Sequence, residues 1–155
     1  MGIRLEKEII LAGISDINDL SLLLNQLFSQ DIEFEPNYEK QVKGLKDILS
    51  NSDIGEILIL KLNGKIIGMV SLLYSISTAL GGKVAILEDM IIDKNYRKNG
   101  FGSDLINEAI KYAKNQNCLR ITLLTDFNNE IAIDFYTKFG FKKSEMIPMR
   151  LVFNK

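Results

Sequence analysis

Ile91-Ile92-Asp93-Lys94-Asn95-Tyr96-Arg97-Lys98-Asn99-Gly100-Phe101-Gly102 is the stretch on which the reading of this chain turns. An apolar strand ends at Ile92, a polar turn follows, and Arg97-x-x-Gly100-x-Gly102 opens a helix whose apolar stripe is Leu105, Ile106, Ala109, Ile110 and Ala113. In the first turn of a helix several backbone N–H groups lack an internal partner and point outward. Aligned peptide dipoles add positive potential there, so phosphate oxygens bind well. Glycine at 100 and 102 lets the backbone approach those oxygens without a Cβ in the way, and Arg97 and Lys98 add charge-assisted contacts. The stretch is expected to cradle a pyrophosphate.

Upstream, Ile9 to Gly13 reads as a first short strand. Ser15 is placed to cap a helix at Asp16, with Ile17, Leu20, Leu23, Leu24 and Leu27 at helical spacing. Glu35-Pro36-Asn37 breaks the pattern, and a second helix is expected over Tyr38 to Leu49 with Val42, Leu45 and Leu49 on one face. Glu56 to Leu62 and Ile66 to Ser77 are apolar strands joined by Asn63-Gly64, the strongest short-range signal for a tight hairpin. After a loop from Thr78 to Gly82, Val84 to Ile92 forms a third long strand. Downstream come a helix from Gly102 to Lys114, a strand from Leu119 to Leu124, and a short helix from Glu130 to Phe139 stopped by Gly140. A final strand is expected over Met146 to Phe153. This order predicts an α/β fold in three layers, a mixed central sheet with helices on both faces. No repeat, linker or low-complexity segment interrupts it, so one domain over residues 1–155 is expected.

Lys plus Arg number 19 and Asp plus Glu number 20, so no global basic field draws in nucleic acid or an anionic membrane. No run approaches the length of a membrane span, and the first residues lack the apolar stretch of a signal peptide. The one cysteine, Cys118, cannot close an internal disulfide, which fits a reducing cytoplasm. A homodimer is compatible with this composition. Histidine is absent, which excludes Ser-His, Cys-His and imidazole-base mechanisms and any His-containing metal site; no metal is expected. Acid–base chemistry must come from carboxylates, tyrosine, lysine or the cysteine.

The pyrophosphate could belong to several ligands. A dinucleotide fingerprint needs a third small residue where this chain has Leu105, and a Walker loop would end in Gly-Lys-Ser/Thr, which is missing. A glycine turn before an ordinary helix is the plainer alternative. Arg97 to Gly102 resembles the Gln/Arg-x-x-Gly-x-Gly/Ala motif with which GNAT acetyltransferases hold coenzyme A, and Ile92-x-x-x-Tyr96-Arg97 matches that family's approach to the loop. Lys98 departs from it, since many members carry Gly there. Asn129-x-x-Ala132-x-x-Phe135-Tyr136-x-Lys138-Phe139-Gly140-Phe141 is similar to the family's second motif in almost every position. With the helix and strand between them, the two motifs span about residues 84 to 141.

The resemblance implies an acetyl-CoA-dependent N-acetyltransferase acting on a primary amine of a small molecule or peptide. The competing reading is a catalytically silent acyl-CoA-binding or sensing domain of the same fold. The implied cofactor-binding set is Met90, Ile91 and Ile92 through their backbone, Arg97, Lys98, Asn99, Gly100, Phe101, Gly102 and Ser103 at the cradle, and Asn129 and Tyr136 downstream. Tyr136 is implied as the general acid: the departing thiolate needs a proton donor, and a phenol is protonated at neutral pH. Asn129 also suits a plain helix N-cap. Glu88 is the favoured base that takes the amine's proton, with Asp89 in reserve. Successive strand residues point to opposite faces, so only one of the two is expected to face the cleft.

Acceptor recognition is expected from the two N-terminal helices, the loop Ser75 to Gly82 and the segment after Leu124. Asp31, Glu33 and Glu35 could attract a cationic acceptor, although a solvated loop is the plainer reading. Direct transfer is expected, because Cys118 lacks a histidine partner and opens an apolar strand as a small core filler.

Overall fold

A computed structural model describes residues 5–31 and 33–154. The strands are β1 (Lys7–Leu11), β2 (Gly55–Leu62), β3 (Lys65–Ser77), β4 (Gly82–Ile92) and β5 (Ile121–Leu123). The helices are α1 (Ile17–Phe28), α2 (Tyr38–Leu49), α3 (Phe101–Asn115) and α4 (Glu130–Thr137). The strands form one sheet in chain order; the first four are antiparallel and β5 joins β4 in parallel. A parallel pair needs a crossover, and α3 provides it.

The long apolar strands are buried on both faces, which sorts alternate residues into two cores. Leu58, Leu60, Ile67, Val70, Leu72, Ala85 and Leu87 pack with Leu105, Ile106, Ala109 and Ala113 of α3. Ile57, Ile59, Ile66, Met69 and Ile91 pack with Ile17, Leu20, Leu23 and Leu24 of α1 and Leu45 of α2. This is the expected α/β three-layer arrangement. Asn63 and Gly64 take φ of 51° and 81°, as the tight hairpin requires.

The N-terminal helices are tied by a buried side chain that apolar spacing did not reveal. Gln41 Nε2 donates to Ser21 O at 3.1 Å, Ser21 Oγ at 3.0 Å and Asn25 Oδ1 at 3.0 Å, while its Oε1 accepts from Asn37 N at 2.7 Å. Capping at α1 also differs from expectation. A 3-10 turn over Ile14–Asp16 precedes the helix, and Asp16 Oδ2, not Ser15, accepts from Gly13 N at 2.8 Å.

The expected final strand over Met146–Phe153 does not form: residues 145–153 pair with no strand. Among the described residues this segment is held by side chains, Arg150 to Glu33 at 3.1 Å and over the ring of Phe34, and not by a backbone ladder.

Candidate active site

Pairing between β4 and β5 runs from Ala85↔Ile121 to Leu87↔Leu123 and stops, while β4 continues to Ile92. Beyond Leu87, then, β4 has no strand on its β5 side. The cleft lies at the carboxyl ends of two parallel strands, where open α/β sheets bind ligands. Met90, Ile91 and Ile92 border it. Ile91 and Ile92 bury their side chains in opposite cores, and Met90 is half-buried against the α3 side. The Ile92 carbonyl is taken by Arg97 Nε at 2.9 Å, which ties the following loop back to the strand.

Opposite the cleft, β4 carries a bulge. Ser71 pairs with Glu88 and Met69 with Ile91, so Asp89 and Met90 face Val70 alone. Leu87 and Ile92 therefore share the α3-side core although an odd number of steps separates them. Asp89 takes φ of 53°, a left-handed conformation uncommon outside glycine, asparagine and aspartate. Strict alternation breaks at the pair of acids, so the premise that only one of Glu88 and Asp89 can face a given cleft does not hold here. Glu88 is exposed, whereas Asp89 lines a cavity of about 250 Å³ together with Leu24, Phe28, Phe34, Gln41 and Leu45. Burial raises the Asp89 pKa to about 6, and the charges of Glu88 and Asp31 push in the same direction. Glu33 and Asp31 of the expected acidic cluster are engaged locally: Asp31 Oδ1 accepts from Glu33 N at 2.8 Å, and Glu33 pairs with Arg150 at 3.1 Å.

The loop between β4 and α3 is shaped for an anion. Lys98 and Gly100 both have positive φ, 65° and 81°, and flank Asn99. Such turns gather backbone N–H groups into a concave nest. Asn99 Nδ2 donates to the carbonyls of Tyr96 at 3.2 Å and Arg97 at 3.1 Å, so its side chain braces the loop. No side chain caps α3, whose first bond runs from Asp104 N to Gly100 O at 3.1 Å. The amides of residues 98–103, including those of Phe101 and Ser103, donate to no other group among the described residues. Asp104 would place a negative charge beside this nest, and Lys7 Nζ neutralises it at 2.6 Å.

The two glycines turn out to have different reasons. Gly100 has φ of 81° and open space around a would-be Cβ, so the backbone conformation demands it and the outside stays clear. A Cβ on Gly102 would point at Phe135, 3.6 Å from its ring, and at Ile92. These are ordinary van der Waals distances, so Gly102 sits where α3 meets Phe135 of α4 with room for a methyl group. Phe135 joins the two sequence motifs, a role that spacing alone could not assign.

Asn129 caps α4, its Oδ1 accepting from Ala132 N at 3.1 Å, which leaves the amide nitrogen free to donate. Tyr136 is braced edge-on by Phe135 and Phe141, with ring centroids 5.1 Å and 5.7 Å away. Burial raises its pKa to about 12, so the phenol keeps its proton at any working pH. Its hydroxyl has no protein partner among the described residues. Cys118 lies elsewhere: Leu119 N donates to Lys83 O at 2.8 Å, which sets the thiol at the start of β4, far from the bulge, and burial raises its pKa. Among the described residues no group of three metal-binding side chains occurs, and no helix is long and apolar enough to cross a membrane.

Comparison with known proteins agrees with this geometry. Residues 20–141 match the acetyltransferase (GNAT) family. The chain is 30% identical over 134 residues to an uncharacterised N-acetyltransferase of Methanocaldococcus jannaschii, a match covering 84% of this chain and 59% of that protein. It is 31% identical over 83 residues to glucosamine 6-phosphate N-acetyltransferase of Trypanosoma brucei brucei, covering 53% of this chain and 54% of that enzyme. The matches thus span less than two thirds of the length of either relative. The fold superimposes with a TM-score of 0.76 and 19% identity on the structure of a predicted acetyltransferase from Clostridium acetobutylicum with acetyl-CoA, over 94% of this chain and 96% of that one. A family match across most of the chain, on a fold whose amide nest and β4–β5 cleft adjoin, shows that this protein belongs to the GNAT acetyltransferase family.

Proposed function

We propose that the protein transfers the acetyl group of acetyl-CoA directly to a primary amine of a small molecule or peptide. The observation that carries this reading is the run of unpartnered amides over residues 98–103, opening beside the bulged, unpaired end of β4. The amides bind the pyrophosphate of the substrate, with Arg97 and Lys98 adding charge, and the backbone of Met90 to Ile92 lies along the pantetheine arm. Asn129 Nδ2 is free to donate to the same arm.

The amine nitrogen attacks the thioester carbonyl, a C–N bond forms, and the C–S bond breaks as the electron pair leaves on sulfur. Tyr136 donates the proton that sulfur needs; its raised pKa keeps the donor loaded. The amine must lose a proton in the same turnover. Asp89 takes it: it lines the cavity along α1 and α2, and a pKa of about 6 leaves it ionised yet basic at neutral pH. Glu88 is the exposed neighbouring charge that raises the Asp89 pKa and draws in a cationic acceptor. The apolar walls of Leu24, Phe28 and Phe34 suit an acceptor with an apolar body behind its amine.

Thermal-shift titration with CoA, acetyl-CoA, NAD and ATP tests the binding step, since stabilisation follows the logarithm of ligand concentration over its dissociation constant. CoA and acetyl-CoA should raise the melting temperature. A shift with NAD or ATP and none with CoA would remove the reading. A panel of amines assayed by thiol release then identifies the acceptor, and Cys118→Ala should turn over like the wild type.

A further inference from the structure

Gly44 stands midway along the twelve-residue α2, where glycine is the least favourable residue after proline. Two reasons commonly hold a glycine inside an element, and neither applies to it. Its backbone is right-handed helix with no positive φ, and among the described residues no atom lies within 4 Å of a Cβ built on it. What Gly44 does have is a place in the wall of the cavity that Asp89 lines. Lys40, Gly44 and Ile48, four residues apart, follow one another along the face of α2 that borders this space, and Leu24, Phe28 and Phe34 border it from α1 and the segment after it. A side chain at position 44 would stand on that wall, and the chain has none there.

The polar groups of the lining are engaged or exposed. The Gln41 amide is taken up by Ser21, Asn25 and Asn37, Asn37 Oδ1 accepts from Lys40 N at 3.0 Å, and Glu35 and Lys40 are exposed. That leaves apolar walls and the half-buried carboxyl of Asp89. The rings of Phe28 and Phe34 are tilted with centroids 6.3 Å apart, and Phe34 is 50% exposed, so an occupant has aromatic surface to cover. At about 30 Å³ per water-sized group, the space of about 250 Å³ holds roughly eight non-hydrogen atoms. We propose that Gly44 is a specificity-determining residue: its missing side chain keeps the α2 wall open for a primary amine whose nitrogen lies at Asp89 and whose apolar body has roughly eight non-hydrogen atoms. This inference rests on the acyl-transfer reading and adds to it the class of acceptor and the residue that sets its size. Up to that size, each methylene the amine buries should improve kcat/KM about fourfold.

Thiol release from acetyl-CoA with propylamine and with heptylamine tests this, alongside calorimetric titration of heptylamine. The wild type should prefer heptylamine by at least about 10-fold in kcat/KM. Gly44→Leu fills the wall and should cut that preference at least about 10-fold, through KM rather than kcat, and weaken heptylamine binding to match. Gly44→Ala should lose less. Both variants should melt above the wild type, because alanine and leucine are better helix formers and nothing crowds the new Cβ. A wild type indifferent to amine length, or an unchanged preference in Gly44→Leu, would overturn the role of Gly44 and leave acyl transfer standing. Lower melting temperatures in both variants would also overturn it, since packing and not open space would then hold the glycine. Heptylamine bound by the wild type, with neither it nor any other amine acetylated, would overturn the acyl-transfer reading and with it this role for Gly44.

Discussion

The amide nest before α3 and the bulge in β4 lie a few residues apart, yet they are built from different materials. The nest is backbone: two left-handed residues and an uncapped helix start present N–H groups, while Arg97 and Asn99 spend side-chain donors on backbone carbonyls to brace the loop. The bulge works through side chains, lifting Asp89 out of strand alternation into the lining of an apolar cavity. A site made of backbone should yield only to changes that alter backbone conformation. A site made of side chains should lose chemistry while keeping affinity. Substitutions in the two regions should therefore give opposite patterns.

The largest expected effect is on the chemical side. Tyr136→Phe keeps the ring against Phe135 and Phe141 and removes only the hydroxyl, so turnover should fall about 10²- to 10⁴-fold with acetyl-CoA affinity little changed. Steady-state rates and calorimetric affinities on the same preparations check this, and an equal loss in both would merge the two regions.

Gly100→Val comes next and acts on the other region. No atom lies within 4 Å of the new Cβ, but φ of 81° is forbidding for a β-branched residue, at about 1–3 kcal/mol. Reshaping the nest should weaken CoA binding roughly 10- to 100-fold with the fold retained, whereas Gly102→Ala meets only ordinary contacts with Phe135 and Ile92 and should bind nearly as the wild type. Equal losses at both glycines would contradict their separate roles.

Asp89 offers a subtler test, through stability. Its pKa is raised from near 4 to about 6, so the folded state favours the protonated acid; stability present below pH 4 is lost as pH rises through 6. Asp89→Asn removes that penalty and should be more stable than the wild type by about 1–3 kcal/mol at pH 8, with the difference shrinking toward pH 4. Urea unfolding at the two pH values reads it directly. The smallest effect is expected at Lys98→Gly: relief of φ 65° should raise stability by under about 1 kcal/mol, and loss of the cation should weaken CoA binding only a few-fold.

The two regions were also unequally legible in the sequence. Glycine at 100 and the amphipathic pattern of α3 announce a helix start and its free amides, because both are local. The three-strand meander and its Asn63-Gly64 turn are local too. The bulge is not: every residue of β4 from Val84 to Leu87 and from Met90 to Ile92 is apolar, so a slip in alternation leaves no mark in the pattern. The expectation that only one of Glu88 and Asp89 faces a given cleft rested on strict alternation, and the bulge removes that premise. The partner of Gly102 is a tertiary fact, invisible until α4 packs. Residues 146–153 have the composition of a strand, but composition does not decide pairing: β5 keeps one edge open and these residues do not take it.

The assignment of chemistry to the bulge is tested most directly by the pH dependence of kcat/KM for thiol release, compared across wild type, Asp89→Asn and Glu88→Gln. This ratio reports ionisations of the free enzyme and acceptor. The wild type should gain activity through a limb near pH 6 as Asp89 ionises. Glu88→Gln should keep the limb but move it to lower pH, since a charge that raised the Asp89 pKa is gone. Asp89→Asn should lose the limb altogether and recover rate only as pH approaches the acceptor's own pKa. A limb unchanged in Asp89→Asn and abolished in Glu88→Gln would contradict the account and make the exposed acid the base.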